Sequence, residues 1–147
     1  MSVRLDEITW MRAAEIVEQD PDVVVILPVG STEQHGPHLP LGTDSINVDH
    51  LCTEAAKRHQ GALVAPCIRY GISHNHIDFH GSVTLEPETL IALTLDIIRS
   101  LYHNGFRRFL IVNGHGGNND TIDVAAIKAR KEMTDAVIGH TYSGALS

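Results

Sequence analysis

Two kinds of apolar run alternate along this chain. Residues 23–29 and 106–113 contain continuous, largely β-branched stretches (Val23, Val24, Val25, Ile26, Leu27; then Phe109, Leu110, Ile111, Val112), the pattern of strands covered on both faces. Shorter runs predict further strands over 61–68, around Leu63 and Val64, and over 136–140. Between the strands, apolar residues recur at helical intervals. Trp10, Ala13, Ala14 and Val17 predict a helix over 8–19 behind Thr9 as N-cap, with Trp10 packed in the core. Ile46, Leu51 and Ala55 mark the inner face of a second helix, over 44–59, with Thr43 as its cap. Pro87 opens a third, whose face is Leu90, Leu93, Ile97, Ile98 and Leu101 and whose end is Asn104-Gly105. Ile122, Ala125, Ala126 and Ala129 carry a fourth, over 120–133. A helix, three strand–helix units and a last strand form a succession of crossover units. The expected fold is α/β with a mostly parallel sheet, and residues 1–147 are expected to form a single domain.

Chemistry gathers in the polar interruptions. Residues 28–44 follow the first strand and contain Glu33, His35 and Asp44. In extended backbone, residues two apart point to one side, so Glu33 and His35 can converge. Pro37 and Pro40 stiffen the segment beyond, Gly36 and Gly42 relieve it, and a return bringing Asp44 to the same point is predicted. Two carboxylates and an imidazole suit a divalent ion of the Zn, Mn or Fe(II) type. The third strand ends in Gly114-His115-Gly116-Gly117-Asn118-Asn119. Open α/β sheets build their sites beyond the carboxyl ends of strands, which joins His115 to the other three residues. Asn118 and Asn119 either cap the following helix or hold a substrate carbonyl.

Other chemistries fit less well. The glycine loop is not G-x-G-x-x-G and no G-K-[ST] is present, so a nucleotide phosphate is a poor fit. Ser31 sits in Gly-Ser-Thr rather than G-x-S-x-G, which argues against a serine nucleophile. The loop over 69–82 is long for a compact domain and bears Tyr70, Ser73, His74, His76 and His80. Its histidines serve the pocket, a second metal or only the surface, and His38 either lines the pocket or faces solvent.

Composition narrows the partners. Eighteen acidic against eleven basic residues give a net charge of −7, which excludes nucleic acid as a main partner. No apolar run approaches the roughly 18 residues of a membrane span. The first seven residues carry acids without an apolar signal core, so a cytoplasmic protein with no membrane contact is expected. Cys52 and Cys67 lack metal-type spacing and are expected to be reduced thiols.

Residues 27–41 (LPVGSTEQHGPHLPL) with Thr43-Asp44, the stretch 112–118 (VNGHGGN), and the segments 70–76 and 81–85 together resemble the creatininase family, creatinine amidohydrolase and its relatives, over roughly residues 5–140. The resemblance implies a three-layer α/β/α fold and a metal-dependent amidohydrolase. Such an enzyme cleaves the C–N bond of a small cyclic amide (creatinine-like) or a formamide through a metal-activated water, usually as a homohexamer. It carries Glu33, His35, Asp44 and His115 over as ligands of one or two Zn, Mn or Fe ions, with Asp44 bridging where two bind. Glu33 and His115 are also the candidate catalytic residues, and His38, Tyr70, Ser73, His76 and Asn118 the candidate substrate contacts. Creatininase itself has a glutamate two residues after the histidine matching His115, where this chain has Gly117. Relatives with glycine there include formamide deformylases and a peptidase of redox-peptide maturation. The family continues beyond the position of Ser147 with a histidine- and glutamate-bearing motif, so an incomplete or non-catalytic metal-binding member is the alternative expectation.

Overall fold

A computed structural model describes residues 2–146. Its centre is a wholly parallel four-stranded sheet in the order β2-β1-β3-β4. The strands are β1 (Val24–Val29), β2 (Ala62–Val64), β3 (Arg108–Asn113) and β4 (Val137–Tyr142). The helices are α1 (Trp10–Gln19), α2 (Thr43–Arg58), α3 (Pro87–His103) and α4 (Asn119–Glu132).

Successive side chains of a strand point to opposite faces, so the two central strands serve two cores. Val25, Leu27, Val29, Phe109 and Ile111 join Ile16 and Val17 of α1, Leu90, Leu95 and Ile98 of α3, and Ile122, Ala126 and Ala129 of α4. Ile26 and Val112 face the other way, into a cluster with Val48, Cys52 and Ala56 of α2. With α2 on one face and the other helices opposite, the three expected layers are formed. Neither central strand has a wet face, which is why neither alternates in polarity.

Val29 lies opposite Asn113, so β1 and β3 end level with each other. The chain leaves β1 through α2 to β2 on one side, and leaves β3 through α4 to β4 on the other. The crevice beyond Val29 and Asn113 is therefore the topological switch point, where open α/β sheets take their ligands.

Several expected faces are corrected. Trp10 is 80% exposed rather than core packing, because it stands on the wall of an open groove with Ile8, Ala13, Leu101 and Phe106, and Ile16 and Val17 make the contact with the core. In α2 the buried residues are Ser45, Val48, Cys52 and Ala56, while Ile46, Leu51 and Ala55 are exposed. Ser45 donates its hydroxyl to Ser31 O at 2.8 Å, which fixes the rotation of the helix and turns Ile46 and Leu51 outward. Gly42, not Thr43, is the N-cap of α2, and Thr43 Oγ1 donates to Pro40 O instead. Leu93 of α3 is also exposed, with Thr94 and Leu95 buried beside it. Thr9 does cap α1, accepting from Arg12 N–H at 3.2 Å.

Candidate metal centre

Beyond β1 the backbone is stitched to both neighbours: Gly30 N–H donates to Ile68 O and Gly114 N–H to Val29 O. A Cβ at Gly30 would fall 2.5 Å from Ser45 Cα, so only glycine lets α2 start this close to the strand. Glu33 N–H then donates to Leu41 O at 2.9 Å. The segment between them has turned back on itself, with Gly36 at φ +74°, as its prolines and glycines predict. That return delivers Asp44 in the first turn of α2, where the helix dipole favours a carboxylate.

Asp44 is the hub. Its Oδ1 is 3.0 Å from His35 Nε2, and its Oδ2 is 2.8 Å from His115 Nδ1. Ser31 donates its hydroxyl to the same Oδ2 at 2.6 Å. His115 Nδ1 is also 3.4 Å from Glu33 Oε1. Donor atoms of Glu33, His35 and Asp44 all lie within 4.8 Å of one another. The four side chains expected to converge are brought together, and Glu33 and His115 are buried.

Two observations fit this cluster to a cation. Each histidine spends one ring nitrogen on a main-chain carbonyl: His35 Nδ1 on Glu33 O at 3.1 Å and His115 Nε2 on Ile72 O at 2.9 Å. A carbonyl only accepts, so those nitrogens carry the protons, and in the neutral rings the remaining nitrogens present lone pairs toward Asp44. A lone pair facing a carboxylate repels unless a second proton or a metal ion lies between, and a backbone carbonyl behind a ligating histidine is the usual outer support. Secondly, Glu33 Oε2 is buried without a hydrogen-bond partner, an expensive state for a carboxylate oxygen unless a cation receives it.

In the absence of an ion, the same contacts set the protonation of these groups. Burial pulls His115 down, but hydrogen bonding to Asp44 and Ile72 O, with Glu33 nearby, more than offsets it and raises the pKa above 6.5. His35 behaves likewise: burial lowers it, and Glu33 O and Asp44 raise it further. Burial pushes Asp44 up, yet the hydrogen bonds from His115 and Ser31 and the adjacent imidazoles bring it below 3.8.

The remaining expected contacts are distributed unevenly. His76 stands over the cluster, its Nε2 3.8 Å from Glu33 Oε1. Ser73 is buried, its N–H donating to Thr84 Oγ1 and its own hydroxyl unpartnered. His38, Tyr70 and His80 are exposed, and no hydrogen bond or ion pair joins them to the four ligands among the described residues. His74 Nε2 lies 3.9 Å from Glu86 Oε1, away from the four ligands. Asn118 is wholly buried. Both its amide hydrogens are used, on Gly30 O and Asn113 Oδ1, and its carbonyl accepts from Ile72 N–H. It braces three loops and is not open to a substrate, which corrects the expected contact. Although Asn118 occupies the N-cap position of α4, its side chain makes no capping bond, and Asn119 Oδ1 accepts from Asn113 instead. Ser31 and Gln34 were not singled out by the sequence as parts of the site. For Ser31 the signal was present: it lies two residues before Glu33, on the same side of extended chain.

Gly117 is the other departure. A Cβ there would lie 2.3 Å from Ile72 O and 2.6 Å from His115 Nε2, so the hydrogen bond that orients His115 occupies the space a side chain would need. A cavity of about 520 Å³ elsewhere is lined by Val23, Gly61 and Leu63 at the start of the strands, away from these groups.

Comparison with known proteins identifies the family and the fold. The creatininase family model, described as creatinine amidohydrolase, matches residues 6–146. A mycofactocin precursor peptide peptidase of Mycolicibacterium smegmatis is 41% identical over 118 residues, 77% of this chain and 47% of that protein. The creatinine amidohydrolase of Pseudomonas putida is 36% identical over 140 residues, 88% of this chain and 52% of that protein. Two solved structures cover nearly all of the chain. One, a creatininase point mutant of Zn-Zn type, has TM-score 0.91 and 32% identity, covering 99% of this chain and 59% of that one. The other, a creatininase with Mn, has TM-score 0.89 and 33% identity, covering 97% and 58%. The chain spans about half the length of the curated relatives it matches.

Proposed function

This chain belongs to the creatininase family, and on that premise we propose that it is a metal-dependent amidohydrolase acting on the C–N bond of a small cyclic amide or a formamide. The observation that carries the reading is the buried, partnerless Glu33 Oε2 beside two histidines whose lone pairs meet at Asp44. Glu33, His35, Asp44 and His115 would hold one or two divalent ions of the Zn, Mn or Fe type. Gly117 supplies no side chain to the site. A bound ion of this kind polarises the amide carbonyl and acidifies a water toward neutrality. The chain's own residues do the rest. Ile72 O and Glu33 O hold the two imidazoles in the tautomers that leave a lone pair inward. Ser31 fixes Asp44 by its hydroxyl. The proton that passes to the departing nitrogen is assigned to Glu33 through the carboxylate oxygen that does not hold the ion. Tyr70, Ser73, His76 and His38 are proposed to meet the substrate around this centre.

Identity to the mycofactocin precursor peptide peptidase favours a second reading, in which the amide belongs to a peptide. A third reading is a metal-binding member without turnover. The same family reading makes the protein a cytoplasmic homohexamer, and the exposed Trp10 and Met11 suit burial between copies. Elemental analysis of the purified chain, followed by an assay of the zinc- and manganese-loaded forms against creatinine, simple formamides and short peptides, tests all three. Near-stoichiometric metal with hydrolysis of creatinine or a formamide supports the first, cleavage of peptides alone the second, and metal without turnover the third. Full activity without metal would overturn the metalloenzyme reading itself.

A further inference from the structure

We infer that Gln34 locks His76 into the tautomer that presents its Nε2–H to the amide carbonyl of the substrate, making His76 a fixed hydrogen-bond donor at the centre. The inference rests on the amidohydrolase reading above and names a contact within that site.

The direction of the donor follows from a chain of three bonds. Gly36 N–H, which can only donate, bonds to Gln34 Oε1 at 2.9 Å. That identifies the other end of the amide as NH2, and Gln34 Nε2 lies 2.9 Å from His76 Nδ1. An NH2 group only donates, so Nδ1 accepts and the proton of the neutral ring is on Nε2. Nε2 is the nitrogen that faces Glu33, at 3.8 Å from Oε1, too far for a hydrogen bond. The donor is thus oriented, beside the metal-binding carboxylate, and still available.

The ring and the glutamine are held as well as aligned. Gln34 N–H donates to Ser82 Oγ at 3.1 Å, and Phe79 leans on the imidazole with ring centroids 6.4 Å apart. Phe79 N–H donates to His76 O at 3.1 Å, closing the turn that carries both rings. The His76 side chain keeps 32% of its surface exposed, so a ligand in the crevice can reach it. The chemistry of an amide then selects the atom. Its nitrogen lone pair is delocalised and its N–H groups donate, so the carbonyl oxygen is the acceptor that an Nε2–H can meet. A preoriented donor on that oxygen strengthens as negative charge develops there, without reorganisation.

The test uses the zinc-loaded chain, with acetohydroxamate as the amide-like probe. Histidine 15N shifts at about pH 8 report the tautomer, and calorimetry reports probe affinity. In the unaltered chain, Nε2 of His76 is expected to be protonated. Gln34→Glu replaces the NH2 by an acceptor of the same shape, so the proton is expected to move to Nδ1 and acetohydroxamate to bind about tenfold more weakly. His76→Phe is expected to weaken the probe to the same extent while retaining zinc, and the double variant to add nothing further. An Nδ1-protonated ring in the unaltered chain would overturn the proposal. So would unchanged probe affinity in both variants with zinc bound. Failure of the unaltered chain to bind zinc is a different result: it removes the amidohydrolase reading and, with it, the role proposed for His76.

Discussion

His115 Nδ1 lies 2.8 Å from Asp44 Oδ2, although the two residues come from opposite halves of the chain. The contact depends on β1 and β3 ending level at the switch point and on Ile72 O occupying the far side of the imidazole. Asp44 also receives Ser31 and His35, so it is the residue on which the donor set turns. Asp44→Ala is expected to remove bound zinc or manganese to below about a tenth of a stoichiometric equivalent. Ser31→Ala takes away only an outer support, and is expected to weaken metal affinity by about 10- to 100-fold. Elemental analysis after gel filtration, with a competing chelator titration, measures both. Undiminished metal in Asp44→Ala would remove it from the site.

Gly117 gives a prediction of opposite kind, in which adding an atom does the damage. A methyl group there meets a backbone carbonyl and the ring of His115 at under 3 Å, and the carbonyl cannot swing aside without moving the 70–76 loop. Gly117→Ala is expected to destabilise the chain by about 1–3 kcal/mol. That corresponds to a fall in Tm of roughly 2–4 °C for each kcal/mol, alongside weaker metal binding as His115 is displaced. A thermal melt equal to that of the unaltered chain would show the loop to be freer than its hydrogen bonds imply.

The parallel sheet and the Glu33, His35, Asp44 convergence were legible in the sequence because they rest on local rules. Continuous β-branched runs declare covered strands, and a two-residue spacing declares a shared side. What was not legible depends on rotation and on what lies next door in space. The inner face of α2 is set by Ser45 reaching Ser31 O, not by its apolar spacing, so Ile46 and Leu51 point outward against expectation. Trp10 has the right helical phase for the core but borders an open groove. Asn118 has the composition of a substrate contact and the environment of a brace. Gln34 carries no sequence signal of its role, since its partner His76 is distant in the chain.

Asn118 and Trp10 make a paired prediction about stability. Asn118→Ala would remove the side-chain partner of Ile72 N–H and Gly30 O and one of the two donors to Asn113 Oδ1, and is expected to cost about 2–3 kcal/mol. Asn118→Asp keeps the shape but sets a carboxylate oxygen against two acceptors, and should be nearly as costly. Trp10→Ala, at an 80% exposed position, is expected to change the stability of the monomer by no more than about 0.5 kcal/mol. Urea unfolding of the three variants measures the contrast. A Trp10 effect as large as that of Asn118 would mean that the indole is buried between copies in solution, as the proposed assembly would have it.

The pH dependence of stability is expected to change sign when metal binds. In the metal-free chain His35 and His115 are raised above 6.5. Their contribution is therefore fully present below that value and is lost as pH rises through the raised folded pKa values. Asp44 is depressed below 3.8, so its contribution is present above that value and disappears only as pH falls through the lower folded pKa. The metal-free protein should accordingly gain from these groups in mildly acidic solution and give up that gain toward alkaline pH. A cation needs the same histidines deprotonated, so its stabilisation should run the other way, with the logarithm of zinc affinity rising by roughly one to two per pH unit through the titration of these histidines. Melting curves of metal-free and zinc-loaded protein at about pH 5.5 and about pH 8 read both slopes. The gap in Tm should widen with pH, and parallel curves would mean that zinc and the protons of His35 and His115 do not compete for one place.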